Sequence, residues 1–238
     1  MKVKPLNQQT ALVTGGATGI GRAFTLGLLE NGIGSVVIAS RRQAVLDEAA
    51  GELNAEFGEK VFPYAFDIRS REQAENLVRY ALEKFGAVDV LINNSGLAVP
   101  ETVTEITDEG WNTVLETNLR GAMWLTQLLL PKMIEQDFGD VVNISSQAGK
   151  HGYRDVPSYC ASKFGLLGFA ESVRDDVRKQ GANVRVFNFC PGLVDVESPV
   201  EQEPKQGFIH VRNMAQTLLY ALSLDRNVIL EDISIYSR

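Results

Sequence analysis

The sequence predicts an α/β fold: one doubly wound parallel sheet of seven strands with helices on both faces, forming a single domain over residues 1–238. Three observations point to it. Short apolar runs rich in β-branched residues alternate along the chain with stretches of helical period. Most of these runs lack a polar-out alternation, as strands covered on both faces do. Finally, 238 residues that are 45% apolar and 22% charged can bury one full core, and no linker, repeat or low-complexity tract divides them.

The strands are expected at 11–14, 35–39, 61–66, 88–93, 140–144, 184–189 and 232–235. Between them the clearest helix is 70–85, where Ala74, Leu77, Val78, Ala81, Leu82 and Phe85 fall on one stripe. Ser70 and Gln73 form a capping box at its start and Gly86 follows its end. A second helix sets Leu46, Ala49, Ala50, Leu53 and Phe57 on one face before Gly58. Longer helical patterns run over about 108–136 and 158–179, and a last one covers about 212–224. With the helix that opens after the first strand, these make the crossovers that parallel neighbours require.

Composition excludes several function classes. Lys and Arg number 23 against 30 Asp and Glu, a net charge of −7, so no broad basic surface is available for nucleic acid or an anionic membrane. Two cysteines, Cys160 and Cys190, and two histidines, His151 and His210, make neither a disulfide framework nor a His-rich metal site. No metal is expected. No apolar run reaches the length of a membrane span, and the first ten residues carry no signal-peptide apolar region. The expected compartment is reducing and cytoplasmic.

Chemistry enters with Thr14-Gly15-Gly16-Ala17-Thr18-Gly19-Ile20-Gly21, which follows the first strand and runs into a helix. Glycines here permit a tight turn and close backbone approach, so that a pyrophosphate rests on the helix N-terminus. Farther on, Tyr159 and Lys163 lie four apart on a predicted helix and so share a face.

Read together, the motifs resemble the short-chain dehydrogenase/reductase family. The glycine spacing matches, Asn93-Asn94-Ser95-Gly96 is similar to its N-N-A-G motif, and Tyr159-Cys160-Ala161-Ser162-Lys163 fits its Y-x-x-x-K. Ser146 precedes Tyr159 by the family's interval, Asn118 matches its helix asparagine, and Pro191-Gly192 its P-G motif. One departure is plain: Pro191-Gly192-Leu193-Val194-Asp195-Val196 carries valine where the family often has threonine, which leaves Val194 to meet the nicotinamide through its backbone.

The resemblance implies a Rossmann-like fold, a nicotinamide cofactor and reversible hydride transfer to or from a carbonyl or alcohol carbon. It makes Asn118, Ser146, Tyr159 and Lys163 the catalytic set. The cofactor set is Gly15, Thr18, Gly19, Ile20, Gly21, Asn94, Pro191, Gly192 and Val194, with Tyr159 and Lys163 serving here too. Lys163 and the oxidised cofactor are expected to lower the pKa of Tyr159, and Asn118 to anchor a water that relays protons. Asp67 and Ile68 look like the family's adenine-contacting pair. The second strand ends Ser40-Arg41-Arg42, with serine where an acid would bind the ribose of NAD, so NADP(H) is the expected cofactor.

The expected substrate is a small carbonyl or alcohol, with 3-oxoacyl and broad-specificity carbonyl reductases as the leading readings. The rival is a redox sensor that binds NADP without turnover. A homotetramer or homodimer through the helices at 108–136 and 158–179 is implied by resemblance. Cys160, Cys190, Trp111 and Trp124 read as packing. His151, Tyr153 and Arg154 lie in the loop before Tyr159 and are candidate pocket residues, as is a substrate lid at 196–211 with Phe208 and Ile209 as apolar contacts.

Overall fold

The structure is a computed structural model and describes residues 3–197 and 202–238. In chain order its elements begin β1 (Thr10–Thr14), α1 (Gly19–Glu30), β2 (Ser35–Ser40), α2 (Gln43–Phe57), β3 (Val61–Ala65), α3 (Arg71–Phe85) and β4 (Val90–Asn93). They continue with α4 (Asp108–Leu115), α5 (Gly121–Glu135), β5 (Gly139–Ile144), α6 (Pro157–Lys179) and β6 (Val184–Pro191). The last are β7 (Val194–Asp195), β8 (Ile209–His210), α7 (Val211–Ser223) and β9 (Asp232–Ile235).

The main sheet has seven strands in the order β3-β2-β1-β4-β5-β6-β9, every neighbouring pair parallel. β1 and β5 are buried along their whole lengths, as the missing polar-out alternation requires. One face packs Phe24, Leu28, Met214 and Leu218 from α1 and α7; the other packs Leu77, Leu125, Leu129 and Val177 from α3, α5 and α6. No helix among the described residues is long and apolar enough to cross a membrane.

Three features depart from the sequence reading. The long helix expected over 108–136 is divided by a π turn at Glu116–Arg120, and Asn118 sits in it. The Ser70 hydroxyl accepts from Gln73 N at 3.3 Å, but the Gln73 side chain reaches past Ser70 to accept from Asp67 N at 2.8 Å. A small second sheet pairs β7 with β8 and puts Ile209 in the core, 4% exposed, instead of on a ligand. The expected lid is described only in part, because residues 198–201 lie outside the described residues.

Four adjacent strands are tied together by a ladder of side-chain hydrogen bonds. Asn93 donates to Asn143 Oδ1 at 2.9 Å, Asn143 to Asn188 Oδ1 at 3.2 Å, and Asn188 to Asp232 Oδ1 at 2.9 Å. These residues are direct register partners, so the ladder fixes the heights of the loops that leave β4, β5 and β6.

Candidate active site

Strand order reverses between β1 and β4, and a doubly wound sheet opens its binding crevice at such a point, beyond the C-terminal strand ends. The glycine loop sits there. Gly15 has φ +66° and donates to Ala39 O at 2.7 Å, closing the turn. A Cβ on Gly21 would lie 2.2 Å from Gly15 O, so the loop can lie on α1 only with glycine at that place. Thr18 is the N-cap of α1, yet its hydroxyl makes no capping bond and the residue is exposed at the crevice. Asn94 braces the loop from β4: its Nδ2 donates to Thr14 O at 2.9 Å, and its N–H donates to Thr14 Oγ1 at 2.9 Å.

From Gly15 and Thr18 a groove runs to the end of β2, lined there by Ser40, Arg41 and Arg42 and closed by Asp67 and Ile68. Among the described residues, neither the Arg41 nor the Arg42 guanidinium is engaged in a hydrogen bond or ion pair. Asp67 is otherwise occupied. Arg69 Nε approaches its two oxygens at 3.1 and 3.2 Å, and Nη2 donates at 2.7 Å, which holds the carboxyl below its usual range. Arg69 also lines the groove and escaped the sequence reading, because an arginine four residues past the end of a strand looks like ordinary surface.

Asn94, Gly96 and Leu97 line both this groove and a second cleft of about 680 Å³. That cleft brings together Ile20, Ser146, Tyr159, Lys163, Pro191, Gly192 and Val194. Ser146 leaves the end of β5, where its Oγ accepts from Ala148 N at 3.1 Å. Burial pushes the Tyr159 phenol up, and a hydrogen bond with Ser146 pulls the other way. Lys163 is 4% exposed; its Nζ lies 5.5 Å from the Tyr159 ring centroid and donates to Ile144 O at 2.7 Å. The expected lowering of Tyr159 is for Lys163 together with the oxidised cofactor; in the chain alone the ammonium faces the ring and a carbonyl, and burial dominates.

Burial also pushes Lys163 down, from 10.5 to about 8. Its folded pKa lies below its unfolded value, so between the two the unfolded chain binds the extra proton and stability rises with pH. Urea unfolding should show wild type gaining stability relative to Lys163→Met as pH climbs from about 8 toward 10.5. A pH-independent difference would contradict this.

Asn118 does not present a free amide. Its Nδ2 donates to Leu97 O at 2.8 Å and Ser162 Oγ at 3.1 Å, and its Oδ1 accepts from Leu97 N at 2.9 Å. Both donors are used, so the side chain joins the β4 loop to α6 instead of anchoring a water by donation. A Cβ at Gly96 would lie 3.4 Å from both Asn118 Oδ1 and Lys163 Nζ, which places that glycine against the pair.

Two further residues of the site were not singled out from sequence. Gln147 is buried; its Nε2 donates to Cys190 O at 2.5 Å and its Oε1 accepts from the Tyr236 hydroxyl. Gly192 N donates to Ile235 O at 2.8 Å, so the last strand holds the Pro191-Gly192 loop from beside. Tyr236→Phe leaves the Gln147 oxygen short of a donor next to Ser146. It should lower kcat/KM by about 3- to 10-fold, the worth of roughly 1 kcal/mol. An unchanged value would remove Tyr236 from the site. Of the loop candidates, Tyr153 lines the cleft, held by its N–H donating to Cys160 Sγ at 3.3 Å, whereas exposed His151 and Arg154 do not. Trp124 packs under the guanidinium of Arg120, 5.2 Å from the ring centroid.

The crevice, the glycine cradle and the cationic groove fit a dinucleotide. Residues 9–207 match the family described as short chain dehydrogenase. The chain belongs to the short-chain dehydrogenase/reductase family. It is 31% identical over 229 residues to the 3-oxoacyl-[acyl-carrier-protein] reductase of Thermotoga maritima, covering 92% of each chain. The alcohol dehydrogenase of the archaeon Thermococcus sibiricus, solved with 5-hydroxy-NADP, superposes with a TM-score of 0.87 at 25% identity, covering 96% of each chain. A variant of actinorhodin polyketide ketoreductase, solved with NADPH, gives a TM-score of 0.87 at 27% identity over 99% of this chain and 98% of that one. The seven parallel strands and their flanking helices form one Rossmann-like domain, the fold shared with these solved structures.

Proposed function

We propose that this short-chain dehydrogenase/reductase is an NADP(H)-dependent oxidoreductase acting on a carbonyl or alcohol carbon, with a 3-oxoacyl compound or a simpler ketone or aldehyde as substrate. The observation that carries the reading is the convergence of Ser146, Tyr159 and Lys163 on one cleft that continues into a groove lined by Arg41 and Arg42, neither of them hydrogen-bonded or ion-paired among the described residues. The nicotinamide, when bound, supplies or accepts the hydride. In reduction, Tyr159 donates its hydroxyl proton to the oxygen of the reacting carbonyl while Ser146 donates a second hydrogen bond to the same oxygen. Lys163 would hold a cofactor ribose hydroxyl, and Asn118 fixes the Gly96-Leu97 backbone beside the ammonium. Gly15, Thr18, Gly19, Ile20 and Gly21 would seat the pyrophosphate, Arg41, Arg42 and Ser40 the 2′-phosphate, and Asn94, Pro191, Gly192 and Val194 the inner half. Asp67 and Ile68 border the adenine end.

The test is a panel of ketones, aldehydes, 3-oxoacyl thioesters and sugars followed by loss of NADPH absorbance. Turnover of at least one carbonyl class supports the reading. Tight NADPH binding with no turnover across the panel would favour a sensor. We further infer a cytoplasmic enzyme, in keeping with two buried free thiols. A homodimer or homotetramer through α4–α5 and α6 would cover the exposed Met123 and Phe164. Sedimentation at micromolar concentration should give a multimer, and a monomer would refute that assembly.

A further inference from the structure

We propose that the substrate is an uncharged carbonyl compound with an apolar substituent, taken free from solution and neither as an anion nor on an acidic carrier; this rests on the hydride-transfer reading above. Two observations carry it. The first is a segregation of charge along the crevice. Arg41, Arg42 and Arg69 line the outer groove, whereas Lys163 is the one charged side chain among the described residues lining the reaction cleft. Lys163 is itself buried with its ammonium on Ile144 O, so it is not turned toward a substrate anion. A carboxylate or phosphate entering this cleft would lose hydration and find no cation in exchange.

The second observation is what the mouth exposes. Tyr153, Leu193 and Val196 are 52%, 64% and 51% exposed, large apolar side chains left in water, and all three line this one cleft. Gathered apolar exposure marks a binding surface, and a substituent laid across it would remove that area from water. The charged residues next in sequence to Val196 and Tyr153 are each beside an opposite charge. Glu197 follows Val196 and pairs with Lys205, and Arg154 lies 3.6 Å from Asp155. Neither cation stands alone.

The methyl ester of para-acetylbenzoic acid and the free acid offer the same carbonyl on the same ring and differ by one negative charge. With NADPH saturating, the ester should be reduced with kcat/KM at least about 10-fold above the acid. Leu193→Lys, which sets a cation at the mouth, should cut that ratio at least about threefold. A 3-oxoacyl N-acetylcysteamine thioester should serve at least as well as the same acyl group on acyl carrier protein, at low and at high salt. Equal or faster reduction of the acid would overturn the proposed class. So would a preferred carrier-bound substrate that loses its advantage in salt or in Arg154→Glu. Either outcome leaves hydride transfer intact. Reduction of none of these compounds, or NADPH oxidation that persists in Tyr159→Phe, would overturn the reading beneath it as well.

Discussion

Tyr159→Phe should lower kcat by about 10²- to 10⁴-fold, the usual contribution of a positioned general acid, while NADPH affinity stays within about twofold. The substitution keeps the ring against Lys163 and removes only the proton. Because burial raises the phenol in the folded chain, Tyr159 is protonated throughout the neutral range and is ready to donate in reduction. Carbonyl reduction should therefore be flat with pH near neutrality, and alcohol oxidation, which needs the phenolate, should climb as pH rises. Ser146→Ala should lower mainly the rate. Lys163→Ala should damage both rate and cofactor binding, since both roles are proposed for Lys163. Steady-state kinetics with fluorescence titration of NADPH separates these cases, and a Tyr159→Phe enzyme with near-normal turnover would refute the assignment.

The second large effect concerns the dinucleotide. Charge-assisted contacts of about 1.5–3 kcal/mol each correspond to roughly 10- to 150-fold in affinity per contact. Arg41→Ala should accordingly weaken NADPH by at least about 10-fold and NADH by little, and Arg41→Ala combined with Arg42→Ala should nearly abolish the preference. The geometry favours a strong response: both guanidiniums line the groove, and neither is held by a hydrogen bond or ion pair among the described residues. Equal losses for NADPH and NADH would contradict the assignment.

What the sequence made legible follows from which contacts are local. Apolar and β-branched runs disclosed all seven strands of the main sheet; in the inner strands burial on both faces leaves a continuous apolar signature, while the edge strands β3 and β9 are only partly buried. The glycine loop and the Tyr159–Lys163 pair were legible for the same reason: turn and helix geometry reach across only a few residues. The π turn at Asn118 was hidden because it widens one turn without breaking the apolar period around it. Gln147 and Tyr236 lie 89 residues apart and meet only through the sheet. The ion pair of Asp67, read only as one of an adenine-contacting pair, was not legible because no pattern shows that a nearby arginine folds back on it. The β7–β8 pair escaped because a two-residue strand has no period to detect, and Ile209 consequently read as a ligand contact instead of core.

The central claim is that Tyr159 serves a hydride transfer from NADPH to a carbonyl carbon in the cleft it shares with Ser146 and Lys163. It is tested most directly with NADPH carrying deuterium at the transferable nicotinamide C4 position, incubated with the best ketone of the panel and analysed by mass spectrometry and NMR of the product. The account predicts one deuterium on the new carbinol carbon of the alcohol, on a single stereochemical face, with formation abolished in Tyr159→Phe. Product alcohol without deuterium at that carbon, or labelled alcohol formed equally well by Tyr159→Phe, would contradict it.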